Sequence, residues 1–140
     1  MKKEITIRLV EWLTVGLCRN NPNSLFLFGD NCIQKGKAGQ ANIRDESNSF
    51  GIPTKRFPTM NYDAFMRDSR SDYGCVNNRL KELKALLNSN KYNTIVFPKS
   101  GLGTGLAKMP ETSPKLFKEL SKKFEKRFNL RLNEDGFIFI

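Results

Sequence analysis

The chain contains no histidine. Histidine is the side chain whose ordinary titration falls near neutral pH, and it is the usual general base, proton shuttle and metal ligand. Its absence excludes Ser-His-Asp and Cys-His nucleophile pairs and histidine-built metal centres. Catalysis of any kind then falls to Lys, Asp, Glu, Tyr, Cys or bound water, and neither a metal nor an organic cofactor is expected. Cysteine is scarce too: Cys18, Cys32 and Cys75 are odd in number, widely spaced and without a CxxC pair. They read as reduced thiols of an intracellular protein and not as a disulfide or zinc framework. Acidic residues are outnumbered, 14 against 24 basic ones, for a formal charge of +10. That balance favours polyanionic partners, nucleic acid or nucleotide phosphate, although a basic solvated surface with no partner fits the charge equally well. Long apolar runs are missing as well, so no membrane partner is expected. At the N-terminus, MKKEITIRLVEWL has Glu4, Arg8 and Glu11 interrupting what would be a signal peptide's apolar core, and the expected location is the cytoplasm.

What the sequence does have is enough apolar material for one core. Hydrophobic residues make up 39% of 140, with 11 phenylalanines, and the length fits a single domain over residues 1–140. Ile5, Ile7 and Leu9 alternate as in a half-buried strand, and Leu25 to Phe28 reads as a buried one. A short helix is expected within Trp12 to Asn23, another around Ala38 to Arg44, and a strand over Ser49 to Pro53. Residues 58 to 75, rich in Pro, Asp, Ser and Arg, read as a long surface excursion. Val76, Leu80, Leu83 and Leu87 keep helical spacing up to Asn88-Ser89-Asn90, and Thr94 to Phe97 is a strand. Ser113-Pro114 has the form of a helix start with Ser as its cap. Leu116, Phe117, Leu120, Phe124 and Phe128 follow on one face, with lysines on the other. Leu130 to Leu132 and Phe137 to Ile140 flank a turn at Asn133 to Gly136. Alternation of strands and helices gives an α/β fold, three layers with a sheet flanked by helices.

Two segments are glycine-rich: GKAGQA (Gly36 to Ala41) and GLGTGLA (Gly101 to Ala107), the latter just past the strand ending at Phe97. Such loops let an anion approach the backbone closely. Neither has the spacing of a Walker loop or of the G-x-G-x-x-G dinucleotide fingerprint. A third segment, GIPTK (Gly51 to Lys55), carries a Thr-Lys pair, and together the three suggest a pocket for a phosphorylated ribose nucleotide.

LFGDNCIQKGKAGQA resembles the macrodomain segment in which a strand ends at Asn and a Gly-rich loop leads into a helix. IPTKR resembles the F-P-T-K-R of DarG-type antitoxin macrodomains, which remove ADP-ribose from thymidine in DNA. FPKSGLGTGLA resembles the last pyrophosphate loop of macrodomains. The likeness covers roughly residues 25 to 110 and implies a macrodomain-like mixed sheet and ADP-ribosyl glycohydrolase activity. By this resemblance Asn31 holds the distal ribose and Lys55 does the chemistry. Asp30, Gly36, Lys37, Ala38, Gly39, Gln40 and Thr54 belong to the ligand-binding set, as do Ser100, Gly101, Leu102, Gly103, Thr104, Gly105 and Leu106. The implied partner is ADP-ribose or an ADP-ribosylated substrate, DNA among them. The chain departs from the pattern in two places. Ala107 stands where some relatives that act on acidic side chains have Asp. Gly29-Asp30 directly precedes Asn31, whereas a macrodomain's adenine-reading Asp comes well before the ribose Asn.

Each of these residues also has a plainer role. Lys55 reads also as a charged surface group that only contacts phosphate, Asp30 and Asn31 as turn formers, Arg44, Asp45 and Glu46 as surface pairs, and Trp12 as a core residue. Tyr62 and Phe65 suit either base stacking or loop packing. Three functions stay open: a hydrolase of ADP-ribosyl groups, a non-catalytic binder of ADP-ribose or a related signalling nucleotide, and a basic nucleic-acid-binding domain.

Overall fold

Four apolar residues in a row, Leu25 to Phe28, satisfy a strand only where both of its faces are covered. The computed structural model, which describes residues 5–102, 107–128, 131–132 and 138–139, places them so. Strands β1 (Thr6–Val10), β2 (Ser24–Asn31), β3 (Ser49–Lys55) and β4 (Thr94–Pro98) form one parallel sheet in the order β1-β4-β2-β3. Side chains alternate along β2. Leu25 and Leu27 join Phe50, Ile52, Ile95 and Phe97 in the larger core, while Phe26, Phe28 and Val96 enter a second core on the opposite face. Full burial of each such side chain contributes roughly 1.5–3 kcal/mol.

The first face is covered by helix α2 (Arg70–Asn88), through Val76, Leu83 and Leu87, and by helix α4 (Pro114–Phe128), through Leu116, Phe117 and Leu120. The second face is covered by helix α1 (Val15–Asn20), through Cys18, and by a 3₁₀ turn at Gly39–Ile43, through Ile43. The protein is therefore an α/β fold with helices on both faces of the sheet. A separate two-stranded antiparallel ribbon is formed by β5 (Arg131–Leu132) and β6 (Ile138–Phe139). A single-turn helix α3 (Met109–Thr112) leads into α4. Among the described residues no helix is long and apolar enough to cross a membrane.

Several sequence expectations shift for local physical reasons. Helix α2 begins at Arg70 rather than near Val76, because Ser69 caps it, its Oγ accepting the Asp72 N–H at 3.2 Å. Thr14 caps α1 in the same way, accepting the Leu17 N–H at 3.1 Å. Trp12 stays outside that helix and is 53% exposed, not a core residue. Strand β3 continues through Pro53 to Lys55, which an edge strand allows because the missing N–H costs no ladder bond there. Ser113 does not cap α4: its Oγ donates back to the Met109 carbonyl, and the Asp68 carboxylate accepts the Lys115 and Leu116 N–H groups instead, at 3.3 and 2.7 Å. The side chains of Phe124 and Phe128 and the turn at 133–136 lie outside what the structure describes.

The cysteine expectation is overturned. Cys32, one residue past β2, and Cys75, in α2, form a disulfide across a sequence separation of 43 residues, and Cys18 alone is a free thiol. Neither spacing nor count reveals such a pair, because the fold and not the local sequence brings the end of β2 to the first turns of α2.

Candidate functional site

The carboxyl ends of the strands carry the glycine-rich loops. The connections on either side of β2 run over the second face, through α1 and then through the 3₁₀ turn leading to β3. The chain after β4 turns to the first face, where α4 packs. Since β2 and β4 are paired neighbours, their following loops diverge to opposite sides. Open α/β sheets bind ligands in the crevice that such a divergence leaves at the strand carboxyl ends. The loop after β2 begins at Cys32 and contains Gly36 to Gly39; the loop after β4 contains Ser100 to Leu102. Gly103, Thr104, Gly105 and Leu106 lie outside the described residues.

The loop after β2 is built on an ion pair. Asp30 lies on the second face, its side chain only 1% exposed, and Arg44, from the turn before β3, grips it bidentately at 2.9 and 2.5 Å. The same guanidinium donates to the Gly36 and Lys35 carbonyls at 2.7 and 3.2 Å and stacks 5.3 Å from the Phe28 ring centroid. Room for the carboxylate comes from Gly51 on the neighbouring strand: a Cβ there would sit 2.3 Å from Asp30 Oδ2. Asp30 is therefore a structural anchor, and Arg44 is half-buried in its service, not a surface pair. Lys37 and Asp45 do pair on the exposed surface. Glu46 accepts from Arg19 at 3.0 Å.

Asn31 closes the same loop. Its Nδ2 donates to the Lys35 carbonyl at 2.7 Å, its Oδ1 accepts the Lys35 N–H at 3.3 Å, and its own N–H goes to Asp30 Oδ1 at 2.7 Å. In this arrangement it acts as a turn residue. Gly36 and Gly39 have φ of +94° and +61°, values that favour glycine. A Cβ at Gly36 would approach Pro58 at 3.3 Å, so the loops after β2 and β3 touch. Ala38 is exposed ahead of the 3₁₀ turn. Gln40 turns inward, its Oε1 accepting the Leu13 N–H at 2.8 Å, which fastens the chain after β1 to this turn. Thr54 is buried and donates to the Asp30 carbonyl at 3.3 Å. Across the crevice, Gly101 has φ +83° and its amide closes a turn on the Pro98 carbonyl at 2.9 Å. Leu102 is buried in the larger core, and Ser100 is exposed.

Lys55 ends β3 opposite Asn31 in register, so the two candidate catalytic residues stand side by side on adjacent strands. The chain then makes an excursion and returns, with Lys55 bridging Phe65 and the Arg56 N–H donating to the Ala64 carbonyl at 2.7 Å. Lys55 Nζ donates to the Thr59 carbonyl, touches the Met60 sulfur at 3.5 Å and lies 5.2 Å from the Phe65 ring centroid. Burial lowers its pKa below that of an ordinary lysine, which favours the neutral amine.

Beside Lys55, Arg56 forms a bidentate pair with buried Asp72, both bonds 2.8 Å, and the Arg67 N–H adds a third donor at 2.8 Å. Burial alone would raise the Asp72 pKa, but the donors from Arg56, Arg67 and Ser69 together hold it below the usual carboxylate range. The Arg56 guanidinium is raised by its bond to Asp72. This pair floors a cleft of about 440 Å³ walled by Ile33, Phe57, Asp63 and the Cys32–Cys75 bridge. Its lining takes in Cys32 and Ile33 from the loop after β2 and Ser71 and Cys75 from α2 but none of Gly36, Gly39 or Gly101, so it does not lie between the two glycine loops. Among the described residues no group of three or more His, Cys, Asp or Glu side chains is placed to hold a metal ion. Sequence reasoning took Arg44 for a surface pair and missed its bond to Asp30, 14 residues away, and it missed the Arg56–Asp72 pair, 16 residues apart, since no motif joins either.

No curated protein matches the chain, and no solved structure does. One family profile, described as a family of unknown function (DUF7831), matches residues 8–123. That span takes in the sheet from Arg8 onward, the crevice and the Lys55 excursion, and the chain accordingly belongs to the DUF7831 family.

Proposed function

We propose that the protein is a macrodomain-like ADP-ribosyl glycohydrolase acting on nucleic acid, with Lys55 as its nucleophile. The observation that carries this reading is the divergence of two glycine-bearing loops from the paired strands β2 and β4, with Lys55 and Asn31 abreast on the next strand pair. A pyrophosphate in the crevice would meet backbone turned by positive φ at Gly36 and Gly101. The distal ribose would then extend toward Asn31 and Lys55. There Lys55 Nζ, once released from the Thr59 carbonyl and neutral, attacks the anomeric carbon. The bond to the acceptor breaks, the acceptor leaves with the electron pair and takes a proton, and water later displaces the lysine to free ADP-ribose. The +10 charge and Ala107, in place of an Asp, favour nucleic acid over acidic protein side chains.

One observation favours a non-catalytic binder: Lys55 donates to a carbonyl and sits over an aromatic ring, both contacts that suit an ammonium. Calorimetry with free ADP-ribose and turnover of ADP-ribosylated DNA separate the two. Lys55→Ala should bind ADP-ribose within about tenfold, roughly 1.4 kcal/mol, while losing turnover. Gly101→Val should lose binding. Turnover at the wild-type rate in Lys55→Ala refutes the mechanism, and wild-type affinity in a folded Gly101→Val protein refutes the pocket. The proposed compartment is the cytoplasm, where the Cys32–Cys75 bridge would have to be a reducible pair.

A further inference from the structure

Phe65 lies where the excursion after β3 returns to the sheet, 7% exposed. Three cations gather on its ring: Lys55 Nζ at 5.2 Å from the centroid, Lys108 Nζ at 5.8 Å and the Arg67 guanidinium at 5.9 Å. Lys108 arrives from the far end of the glycine loop after β4, so the cluster joins two of the loops at the sheet's carboxyl edge. Among the described residues none of the three has a carboxylate partner. The half-buried arginines elsewhere do: Arg44 has Asp30, Arg56 has Asp72 and Arg79 has Glu82. Arg67 donates to the Tyr62 carbonyl at 3.0 Å, yet its Nε is buried with no acceptor. A buried donor left unmade is costly, and a ring face offsets only part of the cost of an unpaired cation. Three like charges and an orphaned N–H together describe a place for an anion.

We propose that Arg67 and Lys108 form a phosphate-binding site around Phe65, next to Lys55, and that its occupant is a phosphodiester of a single nucleic-acid strand. The choice of strand comes from the adjoining surface. Tyr62 is 82% exposed and lies flat against Arg67, 4.2 Å from guanidinium to ring centroid. Phe57 and Met60 are also exposed on this excursion. Cations interleaved with open aromatic faces bind a single strand, backbone on the charges and bases on the rings. A free phosphate would use the cations and leave Tyr62 idle. The site deepens the proposed function, since it holds an acceptor strand beside Lys55, but it does not require Lys55 to be catalytic.

The test is fluorescence anisotropy with a fluorescein-labelled oligothymidine, read over a range of salt. Arg67→Ala and Lys108→Gln should each weaken binding about tenfold at low salt and flatten the slope of log K against log salt by about 0.7 per contact. Tyr62→Ala should weaken binding about tenfold with the slope unchanged. Lys118→Gln with Lys122→Gln, on the exposed side of α4, serves as the charge control. Lys108 is itself exposed, so Lys108→Gln keeps the test decisive if Arg67→Ala does not fold. Losses no larger than the control pair's overturn the site. Inorganic phosphate binding that depends on Arg67 and Lys108, with Tyr62→Ala neutral toward the oligonucleotide, overturns the strand. ADP-ribose affinity, measured separately, should not move in any of these variants. Failure of the wild-type protein to bind ADP-ribose would remove the proposed function and leave this site standing.

Discussion

Replacing Arg44 by alanine should destabilise the protein strongly, because it breaks a buried ion pair from one side. The Asp30 side chain is 1% exposed and Arg44 14% exposed, so the variant leaves a buried carboxylate with only the Asn31 N–H as donor. Breaking a buried ion pair from one side costs about 3–5 kcal/mol. Arg44 reaches some solvent, which puts the expected loss near the lower end, about 3 kcal/mol. The Gly36 and Lys35 carbonyls also lose their donor, so loosening of the loop after β2 should accompany the loss. For a chain of this size, about 3 kcal/mol lowers Tm by roughly 10 °C. Urea unfolding followed by far-UV circular dichroism is the assay, because Trp12 is largely exposed and its fluorescence is a poor reporter of the core. Asp30→Asn should cost less, since it removes the buried charge and leaves Arg44 its carbonyl partners. A midpoint for Arg44→Ala equivalent to within about 0.5 kcal/mol of wild type would class the pair with surface ion pairs and refute the anchoring role.

Other outcomes follow from the same contacts. Thiol titration of the unreduced protein in denaturant should find one reactive cysteine; three would refute the Cys32–Cys75 bridge. In the native protein Cys18 should resist alkylation at neutral pH, because burial, helped by the Glu46 charge, pushes its pKa to about 11. Asp72 has a lowered pKa in the folded state, so its contribution is present above the unfolded carboxylate's pKa and lost as pH falls through the folded one. Asp72→Asn should therefore flatten the acid side of the stability–pH curve, and an unchanged acid limb would contradict the pairing with Arg56. Asp68→Ala should cost about 1 kcal/mol as the lost cap of α4, whereas Ser113→Ala, had Ser113 been the cap, would show that loss instead.

How much of this was legible depended on whether the signal was local. Leu25 to Phe28 announced a doubly covered strand because no alternation was needed there. The spacing of Val76, Leu80, Leu83 and Leu87 gave the body of α2. Its polar first turns, Arg70 to Cys75, read as loop because their residues pair with Ser69, Arg56 and Cys32 and do not display an apolar stripe. Pro53 looked like a stop, and only knowledge that β3 is an edge strand removes the objection. Asp68 capping α4 from 48 residues away and Arg44 holding Asp30 leave no periodic trace. At the site, the Thr-Lys and Gly-rich motifs were visible as words. That Asn31 and Lys55 are neighbours is a fact of strand register, and that Asn31, Gln40 and Thr54 spend their polar atoms on the backbone is a fact of loop closure.

The Cys32–Cys75 bridge closes a covalent ring that contains all of β3, Lys55 and the exposed excursion after it. With a separation of 43 residues, confining that segment in the unfolded chain is worth about 4 kcal/mol on the chain-entropy estimate. The ring also changes what a protease can accomplish. A cut at Tyr62, the most exposed aromatic of the excursion, would sever the backbone and release nothing, because both new ends stay tied through sulfur. The nicked protein would run as one species until a thiol reductant is added, and then as two pieces, with the edge strand and its lysine parted from the helix that anchors them.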